Sequence, residues 1–185
     1  MANILLLYSS YYGHTLKIGE AIRAEAAGQG AQVELRPLSQ GAADAAGFDA
    51  IVIGSSIRHG KHHAEVADFV RVNQGLLASR PSAFFSVSLV ARKPHRNTPE
   101  TNQYVREFLA RSPWKPQRVG VFGGVLNYQR YRRFDRYAIR FIMKLTRGPT
   151  DLHTNVEFTD WEKVRQFARE VVVLASSSPA SRSSA

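Results

Sequence analysis

Five consecutive apolar residues, Ile4-Leu5-Leu6-Leu7-Tyr8, lead into a hydroxyl-rich loop, Ser9-Ser10-Tyr11-Tyr12-Gly13-His14-Thr15, and then into an amphipathic segment. An unbroken apolar run of this length belongs to a strand buried on both faces, as in a parallel sheet. The segment after the loop sets Leu16, Ile18, Ala21, Ile22 and Ala26 on its apolar side and predicts a helix. A loop opening directly onto a helix presents the unpaired N–H groups of the first turn, to which the macrodipole adds partial positive charge. Ser10 and Thr15 can add hydroxyl donors, and Gly13 lets the backbone approach a ligand closely. The feature points to a phosphate site, with an ordinary helix cap as the alternative. No Lys closes the loop, which argues against a nucleoside-triphosphate site. Gly28-Gln29-Gly30 follows a helix and lacks a third Gly, so it gives no dinucleotide fingerprint.

The rest of the chain repeats the alternation. Strands are expected at 3–8, 32–36, 49–54, 82–89 and 118–125, and helices at 15–28, 63–78, 99–111, 130–145 and 160–175. Residues 39–47, rich in Ala and Gly, fit a short helix or a loop. This pattern predicts one α/β domain over residues 1–175, a five-stranded parallel sheet of order 2-1-3-4-5 with helices on both faces. The Ser-rich stretch 176–185 reads as a disordered tail. In such a sheet the ligand lies beyond the C-terminal strand ends at the switch point, beside strands one, three and four. That selects three loops: residues 10–15, Ser55 to His63, and Leu89 to Pro94.

At 185 residues, the chain is long enough for one substantial core. With no Cys it can form no disulfide and use no thiolate, and a reducing compartment suits it. No signal peptide is expected, and no apolar run reaches the roughly 18 residues that cross a bilayer. The net charge of +10 calls for an anionic partner, with nucleic acid, an acidic membrane surface and a polycarboxylate ligand as candidates. His59, His62 and His63 invite a metal reading, but no Cys and no carboxylate before Glu65 supports it, so no metal site is expected. Arg58, at a strand end, reads either as a surface charge or as a cation for a reduced flavin or a substrate carboxylate.

Leu6-Leu7-Tyr8-x-Ser10-x-x-Gly13-x-Thr15 resembles the FMN-phosphate signature of flavodoxins, departing where Gly19 replaces the usual Ala. That change weakens a helix by roughly 1 kcal/mol. The resemblance narrows further along the chain. Gly54-Ser55-Ser56-Ile57-Arg58-His59-Gly60 is similar to a loop of the bacterial quinone-dependent protoporphyrinogen IX dehydrogenases. So are the stretch Pro81 to Pro94, Thr98-Pro99-Glu100-Thr101-Asn102, Tyr131-Arg132, Asp135-Arg136 and Thr159-Asp160-Trp161-Glu162. Tyr11-Tyr12 in the phosphate loop is the clearest departure. The resemblance implies FMN held by Ser10, Tyr11, Tyr12, Gly13, His14 and Thr15, flanked by Ser56, Ile57, Arg58, His59, Gly60, Ser88, Leu89, Val90 and Ala91. It also implies oxidation of protoporphyrinogen IX to protoporphyrin IX in haem synthesis, six electrons leaving in three two-electron steps to a membrane quinone, menaquinone or ubiquinone. Arg58, Arg92 and Lys93 are the candidates for pairing with propionates. The residues themselves offer no general base. A flavodoxin-type electron carrier and an NAD(P)H:quinone reductase are the alternatives, although the carrier's usual acidic surface and any further nucleotide-binding feature are both missing.

Residues 126–150 form a basic aromatic insertion with seven cations against Asp135 alone, a net +6 of the chain's +10. On a helical wheel, Tyr131, Phe134, Tyr137, Ala138, Phe141, Ile142 and Leu145 fall between about 340° and 120° from Arg130. Arg132, Arg133, Arg136, Arg140 and Lys144 fall between about 200° and 320°, with Ile139 and Met143 intruding on the cationic side. One reading is a core-packing helix with a solvated charged face. The other is an interfacial helix at an anionic membrane surface, with Arg133, Phe134, Arg136, Tyr137, Arg140 and Phe141 making the membrane and quinone contact. The second reading places the protein peripherally on the cytoplasmic side of the cell inner membrane. Nucleic acid is not expected, because stacking aromatics and cations would need to share one face.

Overall fold

The computed structural model describes residues 1–42 and 44–177. Five parallel strands form the sheet: β1 (Asn3–Ser9), β2 (Gln32–Pro37), β3 (Ala50–Arg58), β5 (Ser82–Ser88) and β6 (Arg118–Gly123), in the order β2-β1-β3-β5-β6. A two-residue strand, β4 (Lys61–His62), folds back antiparallel on β3, so the expected order holds with an added hairpin. The apolar runs alternate their side chains between two buried faces. Ile4, Leu6, Val52 and Phe85 pack toward helices α1 (His14–Gly28) and α6 (Trp161–Ser176). Leu5, Leu7, Ile53 and Phe84 pack toward α2 (Ala64–Val72) and α3 (Gln74–Ser79). The inner strands therefore carry apolar runs rather than alternation, Ile4–Leu7 in β1 and Ile51–Ile53 in β3, and this is why the period-2 signal vanishes from them.

Element boundaries moved where capping chemistry intervened. The helix expected at 63–78 breaks at Asn73, whose side-chain amide donates to the Phe69 carbonyl (2.9 Å). The helix expected from residue 99 begins later, as α4 (Gln103–Arg111), because Asn102 caps it by accepting from the Val105 N–H (3.3 Å). Residues 39–47 hold two short 3₁₀ turns, Leu38–Gln40 and Ala45–Gly47. Gly19 sits where a Cβ would come within 2.9 Å of Leu35 Cδ1, so its absence lets α1 lie close to β2. Ser176, expected in the tail, ends α6 instead, and residues 178–185 of that tail lie outside the described residues.

The strand expected at 118–125 stops at Gly123, and the chain then leaves the sheet. Strand β7 (Val125–Asn127) pairs antiparallel with β8 (Asn155–Glu157), closing an excursion that carries α5 (Arg133–Leu145). The helix expected from residue 130 thus begins at Arg133. Tyr131 is buried ahead of it, its hydroxyl donating to the Val125 carbonyl (2.8 Å). Leu126, Tyr128, Tyr131 and Met143 form a separate small core, with Tyr12, Leu89 and Ile139 packed against it.

Candidate functional site

The loops after β1, β3 and β5 meet at the C-terminal edge of the sheet, where the strand order places the switch point. In the first loop Gly13 takes φ +83°, a left-handed conformation that glycine adopts without penalty, and no side chain caps α1. The Gly13 N–H donates to Ser10 Oγ (3.0 Å) and draws the hydroxyl into the turn. Thr15 is fully buried at the first turn of α1, yet its hydroxyl has no partner among the described residues. A buried orphan hydroxyl beside unpaired first-turn amides matches the donor set that a phosphate completes. His14 Nε2 donates to Thr159 Oγ1 (2.7 Å), whose own proton goes to the Gly123 carbonyl (2.8 Å). Burial pushes His14 below the ordinary imidazole value, in keeping with this neutral donor.

The second loop is a two-residue hairpin. His59 and Gly60 take φ of +49° and +78°, the sign pattern of a type I′ turn. Ile57 pairs with His62 and Arg58 with Lys61 across it. The dipeptide His59-Gly60 was the available signal for this turn, and a reading of the segment as irregular loop missed it. The three histidines go to separate partners: His59 Nε2 to Asp135 Oδ1 (2.9 Å), His62 Nε2 to Ser86 Oγ (2.9 Å) and His63 Nε2 to Ser56 Oγ (3.1 Å). Burial drives His62 down to about 3, so it is uncharged at neutral pH. Tyr11 stacks on His63 at 3.7 Å, with the Arg58 guanidinium 4.7 Å over the Tyr11 ring. In the third loop Ser88 Oγ accepts from the Ala91 N–H (3.4 Å), shaping a 3₁₀ turn over Leu89–Arg92 that also carries Val90.

Asp135 is the residue the sequence reading left without a role. Only 2% exposed, it accepts from Tyr12 Oη (2.5 Å), Arg58 Nη2 (2.7 Å) and His59 Nε2 (2.9 Å). Burial alone would raise its pKa, but the hydrogen bonds from Tyr12, His59 and Arg58 outweigh that effect and hold it below the ordinary carboxylate value. Tyr12 is raised by burial first and then by the neighbouring carboxylate, so it remains a donor. The signals in the sequence were a lone acid among seven cations and the Asp135-Arg136 motif of the family resemblance, neither of which names its partners.

Of the three expected propionate partners, Arg58 is paired with Asp135, although its Nε is buried without a partner. Arg92 donates from Nη1 to the Leu89 carbonyl (3.0 Å) and from Nη2 to Thr146 Oγ1 (2.8 Å). The Lys93 ammonium has no hydrogen-bond or ion-pair partner among the described residues.

The expected interfacial helix turns its apolar side outward. Phe134, Tyr137, Phe141, Ile142 and Leu145 are exposed, Phe134 by 77%, while Asp135 and Met143 are buried and Ile139 packs on the small core. Ile139 and Met143, the two apolar residues on the cationic side of the wheel, anchor the helix in the small core. The core-packing reading of the aromatic face is therefore wrong. Arg136 faces inward too, its Nε donating to the Tyr128 carbonyl (2.8 Å), whereas Arg133 is exposed. A groove of about 470 Å³ lined by Tyr137, Arg140, Phe141, Lys144 and Thr150 runs along this outer side. Among the described residues, no helix is long and apolar enough to cross a membrane.

Comparison with known proteins follows the same division. Residues 5–153 match the flavodoxin domain family. The chain is 43% identical over 171 residues to the protoporphyrinogen IX dehydrogenase (quinone) of Escherichia coli (strain K12), covering 92% of this chain and 94% of that protein. It is 42% identical over 172 residues to the protein of the same name from Leishmania major, covering 92% of this chain and 74% of that one. Among solved structures, oxidised flavodoxin 1 from Bacillus cereus superposes with a TM-score of 0.54 at 16% identity, covering 93% of this chain and 98% of that chain.

Proposed function

The chain belongs to the flavodoxin domain family and, within it, to the protoporphyrinogen IX dehydrogenase (quinone) family, and from that premise we propose that it oxidises protoporphyrinogen IX to protoporphyrin IX in haem biosynthesis, using FMN and passing electrons to a membrane quinone. The observation that carries this reading is the 43% identity across nearly the whole chain, insertion included. The cofactor is a flavin. FMN fits the first loop because the orphan Thr15 hydroxyl, the first-turn amides of α1 and Ser10 make a phosphate cradle.

When bound, FMN supplies the two-electron redox chemistry. The chain's own residues bind and orient. The loops Ser56–Gly60 and Ser88–Ala91, beside the first loop at the C-terminal edge of the sheet, would hold the ring. Lys93, whose ammonium has no partner among the described residues, is the candidate for a substrate propionate, while the Arg58 charge is already paired with Asp135. Substrate and acceptor are then protoporphyrinogen IX and a lipidic quinone. A quinone dissolved in a bilayer requires approach from the membrane surface, and the exposed face of α5 joins aromatic residues to Arg133, Arg140 and Lys144 for that purpose. The protein accordingly works as a peripheral protein on the cytoplasmic side of the inner membrane, against anionic lipid.

Titration of the apoprotein with FMN, followed by anaerobic mixing with protoporphyrinogen IX or NADH, tests the proposal. Flavin absorbance should bleach with protoporphyrinogen and not with NADH. Thr15→Val should weaken FMN binding about tenfold to hundredfold, the loss of one charge-assisted hydrogen bond. Bleaching by NADH alone would overturn the substrate assignment, and unchanged affinity in Thr15→Val would remove that hydroxyl from the phosphate site.

A further inference from the structure

Helix α5 is fastened to all three loops of the flavin cradle. At its first turn Asp135 holds Tyr12 of the phosphate loop, at 2.5 Å, and both Arg58 and His59 of the hairpin after β3, at 2.7 and 2.9 Å. Just past its C-terminal end, Thr146 Oγ1 accepts from Arg92 (2.8 Å), which belongs to the turn after β5. Between these ties Met143 and Ile139 pack in a small core that also includes Tyr12 and Leu89, again from the first and third loops. The outer face of the same helix is the exposed apolar and cationic surface.

We propose that Asp135 is a positioning residue that couples cofactor binding to the seating of α5. The inference rests on the FMN reading above. A ligand that orders the loops after β1 and β3 fixes Tyr12, Arg58 and His59 in the positions that Asp135 needs, so the filled cradle holds the helix more firmly. Linkage makes the effect reciprocal: a seated α5 must tighten FMN by the factor by which FMN steadies α5. Asp135 is suited to this role because it is a buried carboxylate with donors from two different loops, Tyr12 after β1 and Arg58 and His59 at the end of β3. Losing it leaves the Arg58 cation uncompensated and releases the Tyr12 hydroxyl.

Amide hydrogen exchange on the full chain, without and with saturating FMN, tests the coupling without reference to turnover. In the wild type, FMN should slow exchange across residues 133–146 by about tenfold, the size of one charge-assisted hydrogen bond. Asp135→Asn should lose most of that slowing and bind FMN more weakly by a similar factor. Tyr12→Phe, which removes one donor of three, should lose part of it. Unchanged exchange in α6 serves as the control for folding, and if Asp135→Asn fails it, Tyr12→Phe decides the matter. FMN binding that leaves 133–146 unaltered would overturn the coupling, as would equal slowing in wild type and in the folded variants. A wild-type protein that binds no FMN would overturn the cofactor reading itself, and the coupling with it.

Discussion

Helices α5 and α6 are both strongly two-faced, and they use their faces in opposite ways. α6 lays Val164, Phe167, Ala168, Val171, Val172 and Ala175 against the sheet and α1, leaving its charged side to solvent. α5 buries one carboxylate and one Met, and exposes Phe134, Tyr137, Phe141, Ile142 and Leu145. Amphipathicity states that a helix has two environments, not which of them is the protein. For α6 the nearest apolar surface is the sheet. For α5 the sheet is already covered, and the polar ties of Asp135, Arg136 and Thr146 fix the orientation that the apolar residues leave open. A contiguous exposed apolar face of this kind marks an interaction surface.

The contrast breaks most readily at one phenylalanine in each helix. Phe167→Ala should destabilise the fold by about 3–5 kcal/mol, as loss of a buried aromatic does. Phe141→Ala should change stability by no more than about 0.5 kcal/mol, the range for exposed sites. Urea unfolding midpoints measure both, and comparable losses would mean that the outer face of α5 is covered within this protein. The charges around that face sharpen the contrast next. Each cation near an anionic leaflet is worth about 1 kcal/mol. Arg133→Glu with Lys144→Glu should therefore reduce sedimentation with anionic vesicles at least tenfold and lower turnover with a lipidic quinone. Turnover with a soluble acceptor should survive, and equal loss with both acceptors would assign these cations to folding or substrate binding. Arg136 is unsuitable for this test because it holds the Tyr128 carbonyl.

The smallest expected effect is acid-dependent. Asp135 has a depressed pKa in the folded protein, so its stabilisation of α5 is complete above the unfolded carboxylate value of about 3.9 and disappears as pH falls through the lower folded value. α6 packs on the sheet and α1 through apolar contacts, with its carboxylate ion pairs, Glu25–Arg169 and Glu162–Arg165, confined to the partly exposed rim. Exchange in α5 should therefore accelerate below about pH 4 while α6 holds. Simultaneous loss of both helices would show that the two are not independently anchored.

Most of the cradle was legible in the chain. The apolar run, the hydroxyls at 10 and 15, and Gly13 specified a strand, a tight turn and a helix, because each depends on chemistry contained within about fifteen residues. The His59-Gly60 turn was equally local and went unread. Asp135 could not be assigned, since its partners Tyr12 and Arg58 stand 123 and 77 residues away and no local rule joins them. The same holds for Arg92, which Thr146 engages across 54 residues. By itself the sequence determined the alternating α/β order, the hydroxyl-rich turn between β1 and α1 and the two-faced character of residues 133–145, all set by local periodicity and backbone chemistry. Only the tertiary structure decided which face of that helix turns inward and which cations remain free, because buried charges and hydrogen-bond donors find their partners only after distant loops have been brought together.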